Sequence, residues 1–157
     1  MYGASKILLI TLQMLKKNGH DPFVVLSEEG LLSQALKKEH IEVRFIKLGI
    51  IRKKYFNFKG LINRFRTLWI AKNQLTRLCI QENIDLIYSN TAAVIVGGWV
   101  ARKCRLKHIF HVHEIIQSPR WFVYLIHKMI ARNANHVIAV SRAVKDHLST
   151  FIPQHKI

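Results

Sequence analysis

Apolar positions along the chain switch repeatedly between helical spacing and short continuous runs. Residues 4–18 have helical spacing, with Leu8, Leu12 and Leu15 on one face and Ile7, Ile10 and Met14 beside them. Gly19 follows soon after two lysines and reads as the helix stop. PFVVLS (22–27) is a short apolar run suited to a strand covered on both faces. LLSQALKKEH (31–40) returns to helix, and IEVRFIKL (41–48) reads as strand. After a basic segment, a long helix is predicted from about Leu61 to Gln81. Then come strand IDLIYSN (84–90), a buried helix TAAVIVGGWVARK (91–103) and strand HIFHVHE (108–114). Helix WFVYLIHKMIARN (121–133), strand HVIAVS (136–141) and a last helix from Arg142 to Leu148 complete the order.

Strand and helix therefore alternate throughout, an order that requires parallel strands joined by helical crossovers. The fold class is α/β: a doubly wound, Rossmann-like parallel sheet with helices on both faces, and no internal repeat or domain boundary within 1–157. Such folds open with a strand, and the first strand-to-helix loop carries the glycines that face phosphates. Here MYGASK leads straight into helix, so the first strand is expected to be absent. The chain stops at PQHKI just after its last helix, and both ends read as truncated.

Charge adds what the pattern lacks. Lysine and arginine number 25 against 9 acidic residues, for a net charge of +16, which points to a polyanionic partner such as nucleic acid, anionic lipid or a phosphorylated ligand. No stretch reaches the roughly 18 uncharged apolar residues of a membrane span. ILLITLQMLKK after Lys6 resembles a signal core, but it contains Gln13, lacks a small-residue cleavage site and reads as helix. The two cysteines, Cys79 and Cys104, stand in unrelated contexts, as expected of inert thiols in a reduced, cytoplasmic setting.

HIFHVHE raises a chemical question. In a strand, His111 and His113 point the same way while Val112 points back, so the two imidazoles can share a metal or line the mouth of a cleft. A closed metal site needs two further ligands, and no second His/Cys pair has ligand spacing. His108 is placed on the same face but at the far end of the strand, too distant from His113 to share an ion. No metal is expected. From Val43 to Gln81 there is no acidic residue. Arg52, Lys53, Lys54, Lys59, Arg64 and Arg66 fall there, interleaved with Tyr55, Phe56, Phe58, Phe65 and Trp69. Cations beside aromatic anchors suit an anionic membrane surface. A solvated basic face is the plainer reading, and no nucleic-acid recognition motif is present.

Four ordered blocks, GASKILLITLQMLKKNGHDPFVVL, IDLIYSNTAAVIVGGWVARK, HIFHVHE and ANHVIAVSRAVKDHL, resemble the N-terminal domain of family 4 glycosyltransferases. Those enzymes have GT-B architecture, two Rossmann-like domains facing each other across a cleft. The resemblance implies sugar transfer from a nucleotide-sugar donor with retention of anomeric configuration, the nucleotide-sugar being a substrate and no metal cofactor being required. By resemblance, Gly3, Ala4 and Ser5 match the glycine-rich loop before the first helix, where a helix N-terminus suits a donor diphosphate or the acceptor. An ordinary cap by Ser5 is the alternative. His113 and Glu114 match the end of the HxHE-type strand and are the candidate catalytic pair, with His113 facing the donor sugar. His111 is divided between packing and support of His113. Asn90 and Thr91 close IDLIYSN at the same sheet edge and are candidates for contact with the acceptor, with Thr91 also read as cap of the next helix. Ser141 reads as N-cap of the last helix.

The chain is thus expected to be the acceptor-side half of a retaining glycosyltransferase of polysaccharide biosynthesis, acting on a glycan or lipid-linked acceptor. It is expected to be cytoplasmic, peripheral on the inner membrane face, and inactive without a donor-binding C-terminal domain. The rivals are a non-catalytic basic module docking on anionic membrane or nucleic acid, and one subunit of a split enzyme.

Overall fold

The structure, a computed structural model, describes residues 3–50 and 58–157, with side chains from residue 63 onward in the second stretch. The chain divides into two compact units, Met1–Leu48 and Gly49–Ile157.

In the first unit, α1 (Gly3–Lys17), β1 (Val24–Leu26), α2 (Leu31–Lys38) and β2 (Val43–Phe45) follow in order, and α1 is the first described element. β1 and β2 pair in parallel, Val24 opposite Val43 and Leu26 opposite Phe45. Leu8, Leu12, Val24, Leu36, Ile41 and Leu48 are the buried apolar side chains of this unit. The predicted stop at Gly19 is present: its φ of 82° lets His20 N–H reach the Leu15 carbonyl (3.1 Å) and Gly19 N–H the Lys16 carbonyl (3.0 Å). α2 ends the same way at His40, with φ 53°. Lys16 Nζ then donates to the carbonyls of Glu39 and His40, tying the two helix ends together.

The second unit runs α3 (Phe58–Gln81), β3 (Leu86–Ser89), α4 (Val96–Cys104), β4 (Lys107–Val112), α5 (Arg120–Asn133), β5 (His136–Ala139) and α6 (Arg142–Ser149). A short 3-10 turn at Gln154–Lys156 follows. Its sheet has the order β3-β4-β5 and is parallel throughout, with Ile87 opposite His108 and Phe110 opposite Val137. Helix and strand alternate as the pattern predicts, because each crossover helix must return the chain to start the next parallel strand. Phe110 and Val112 of the central strand are buried with Val96, Val100, Ile126 and Ile130 of the neighbouring helices. Ser141 caps α6, its Oγ accepting from Val144 N–H at 3.3 Å.

α4 lies very close to the sheet. A Cβ at Gly97 would meet Ser89 Oγ at 2.5 Å, and one at Gly98 would meet Asn133 Cβ at 2.8 Å, so the paired glycines are what permit this approach. α4 also begins at Val96, not at residue 91 as its composition suggests. Residues 91–95 instead form turns. Cys79 and Cys104 are free, and burial, aided by the neighbouring Cys104, pushes the Cys79 thiol up to about 11, where it is a poor nucleophile. Among the described residues no helix is long and apolar enough to cross a membrane.

Candidate functional site at the carboxyl ends of β3 and β4

The two strands stop early, β3 at Ser89 and β4 at Val112, so Asn90, Thr91, His113 and Glu114 all lie just beyond the carboxyl edge of the sheet. Parallel register brings them together. His113 Nε2 is 3.0 Å from Asn90 Oδ1. A carboxamide oxygen only accepts, so Nε2 carries the proton and Nδ1 of the neutral ring is the acceptor.

Glu114 holds the adjoining turn. Its Oε1 accepts from the Ala92 N–H at 3.0 Å and from the Thr91 hydroxyl, and its Oε2 accepts from the His113 N–H at 3.1 Å. Thr91 Oγ1 in turn accepts from Ala93 N–H at 3.1 Å. These bonds hold a separate turn over residues 91–95, ahead of α4. Thr91 consequently does not cap α4, whose N-cap position is Ile95.

Behind His113 stands His111, buried, with its ring centroid 4.1 Å away and the planes inclined by 34°. His111 Nδ1 is hydrogen-bonded to the Tyr88 hydroxyl at 2.5 Å. It is thus packed in the sheet and in ring contact with His113. Burial lowers the pKa of both rings: for His111 the positive charge on His113 adds to the effect, and for His113 the Glu114 carboxylate opposes it. At neutral pH the site presents two uncharged imidazoles, each able to donate and accept.

His108 corrects one expectation. The five-residue separation from His113 is odd, so the pleat puts His108 on the opposite face. It is fully buried against α4, Nε2 accepting from Ser89 Oγ (3.0 Å) and Nδ1–H donating to the Asn133 carbonyl (3.2 Å). Burial drives its pKa down to about 4, so this ring is a neutral structural element. Among the described residues no three His, Cys, Asp or Glu side chains gather in a way that would hold a metal.

Gly3, Ala4 and Ser5 form the first described turn of α1 and belong to the first unit. Of the proposed membrane cations, Arg52, Lys53 and Lys54 lie outside the described residues, as does the side chain of Lys59. Arg64 and Arg66 are on α3, half-buried and exposed respectively, near the exposed Phe65 and Trp69. Tyr88 belongs to no conspicuous motif, although alternation along IDLIYSN places it on the same face as Asn90.

The model of the family described as Glycosyltransferase Family 4 matches residues 2–157. Comparison with curated protein sequences finds no match. Among solved structures, the chain is similar to MurG of Acinetobacter baumannii, with 17% identity and a TM-score of 0.65, over 87% of this chain and 38% of that one. It is similar to MnaA of S. aureus solved with UDP, with 14% identity and a TM-score of 0.64, over 98% of this chain and 39% of that one. A UDP-N-acetylglucosamine 2-epimerase matches at 18% identity and a TM-score of 0.62, over 94% and 41%. The chain spans about two-fifths of the length of each of these structures. At such identities the likeness is one of fold, the Rossmann-like N-terminal domain of GT-B proteins.

Proposed function

The chain belongs to glycosyltransferase family 4, and from that premise we propose that it is the acceptor-side half of a retaining glycosyltransferase. In this reading a sugar passes from a nucleotide-sugar donor to a glycan or lipid-linked acceptor, as in polysaccharide biosynthesis, with no metal cofactor. The donor is held by residues outside these 157, so this stretch alone transfers nothing. The observation that carries the reading is the hydrogen bond from His113 to Asn90 at the carboxyl edge of the sheet, the edge where ligands of open α/β folds bind.

His113, its Nε2–H directed to Asn90, offers Nδ1 to a sugar hydroxyl, and its neutrality avoids repelling positive charge that develops at an anomeric carbon. Asn90 and Thr91 border the same spot and contribute to sugar binding. By resemblance, Glu114 is paired with His113 as catalytic. With its carboxylate taken by Ala92, Thr91 and His113, Glu114 works by holding the turn that positions them. Gly3, Ala4 and Ser5 are the corresponding ligand-facing turn of the first unit, for a diphosphate or the acceptor.

A cytoplasmic, membrane-peripheral location follows in the same proposal. The acid-free run from Val43 to Gln81 and the exposed Phe65 and Trp69 favour an anionic bilayer. The test is a titration of the isotopically labelled chain with nucleotide-sugars and with lipid-linked and free glycan acceptors. Imidazole signals of His113 are expected to shift with the donor sugar and signals of Asn90 and Thr91 with an acceptor, and His113→Ala to abolish the response elsewhere at the edge. No shift at His113 with any sugar, or sugar transfer by the chain alone, would overturn it.

A further inference from the structure

Away from the strand-end site, α3, α4 and α5 enclose an open groove of about 770 Å³. Lys72 from α3, Arg102 and Lys103 from α4, and Lys128 and Arg132 from α5 all line it. No acidic residue occurs in any of these three helices. Among the described residues none of the five groove cations forms an ion pair with a carboxylate. Five like charges around one concavity raise each other's free energy unless an anion enters.

Between the cations the wall is apolar, formed by Trp99, Leu125 and Met129. The same stripe of α5 continues outward through Trp121 and Tyr124, exposed at 58% and 59%, and Lys128 Nζ lies 5.5 Å from the Tyr124 ring centre. On α3, Phe65 and Trp69 precede Lys72 at i, i+4 and i+7, one helical face, and are 69% and 66% exposed.

We propose that this groove is the seat of an anionic phospholipid headgroup, with Trp121, Tyr124 and Trp69 entering the bilayer interface around it. Cations alone would suit any polyanion. The exposed aromatic stripe favours the lipid, because a nucleic-acid duplex has no apolar region to cover it, whereas the headgroup–acyl boundary takes up tryptophan and tyrosine rings, and the sequence carries no nucleic-acid recognition motif. The proposal rests on the membrane reading above and shares Trp69 and Lys72 with its basic run, but adds residues of α4 and α5 that lie outside that run.

The experiment is co-sedimentation of the whole chain with vesicles of phosphatidylcholine, alone or doped with phosphatidylglycerol. Arg102→Gln, Lys128→Gln and Arg132→Gln are combined in one variant, Trp121→Ala and Tyr124→Ala in a second, and Arg52→Gln, Lys53→Gln and Lys54→Gln in a third. At about one kcal/mol per basic residue near the surface, the first variant should lose about a hundredfold in affinity for the doped vesicles. The second should also weaken binding, with no change in charge, and serves if the first does not fold. Native binding by both the first and second variants, or loss by the third alone, overturns the groove while leaving the membrane reading intact. If the native chain binds neither vesicle, both fall. A groove variant that loses binding to duplex DNA while keeping vesicle binding overturns the lipid assignment.

Discussion

The strand-end site and the α3–α5 groove belong to the same compact unit, yet they treat polar groups in opposite ways. At the strand ends, His113, Glu114 and Thr91 are each hydrogen-bonded within the protein. In the groove, five cations converge without a carboxylate among them. Internal bonding fixes geometry and makes the fold depend on those side chains. Unpaired like charge does not stabilise the fold and is available to an outside partner. The first region should therefore be costly to mutate in the absence of any ligand, and the second nearly silent until one is present.

The sharpest break of that comparison is Glu114→Ala. It removes a charged acceptor from two backbone N–H groups and a hydroxyl. At about 1.5–3 kcal/mol for a bond to a charged group, with losses less than additive, the expected cost is about 3–4 kcal/mol in urea unfolding. Glu114→Gln keeps one oxygen acceptor and should cost less. The amide signals of Ala92 and His113 should move in both variants. Unchanged stability in Glu114→Ala would remove the clamp.

Next in size is the acid limb. His108 has its pKa lowered from 6.5 to about 4 by burial, so the unfolded chain binds this proton more readily than the native one. The stability it supports is fully present above about 6.5 and drains away as pH falls towards about 4, a span of about 3 kcal/mol. His111 and His113, also lowered, act in the same direction over the start of that window. A variant such as His108→Leu should flatten the limb, while costing stability at pH 7 because Ser89 Oγ and the Asn133 carbonyl lose their partner. A native acid limb that stays as steep in His108→Leu would show that another group carries it.

Much of this was legible in the chain. Alternating periods predicted each helix and strand in order, and Gly19 and Ser141 marked a stop and a start that the structure keeps. The start of α4 was not legible, because TAAV is acceptable helix sequence and the contact that marks the turn there comes from a carboxylate 22 residues further on. Strand ends were overestimated for a related reason, since apolar runs record burial and say nothing of where a neighbour stops pairing. The strand-end residues could be found because HIFHVHE concentrates them. The groove could not: Arg102 and Lys103 read as the basic end of one helix, Lys128 and Arg132 as the solvated face of another. Only packing of α4 between its neighbours brings them to one concavity. The acid-free run, by contrast, is plain in the sequence, but its Arg52, Lys53 and Lys54 lie outside the described residues.

The smallest expected effect tests the other half of the comparison. Arg132→Gln removes one exposed cation that has no carboxylate partner, so the cost to folding should stay within about 0.5 kcal/mol. The sign is informative. Because four other cations line the same groove, relief of repulsion should leave the variant equal to the native chain or slightly more stable at low salt. Raising salt screens the repulsion in the native chain and should erase that difference. A loss of more than about 1 kcal/mol, as expected of a paired buried charge, would mean that Arg132 is held within the protein as Glu114 is, and the contrast between the two regions would disappear.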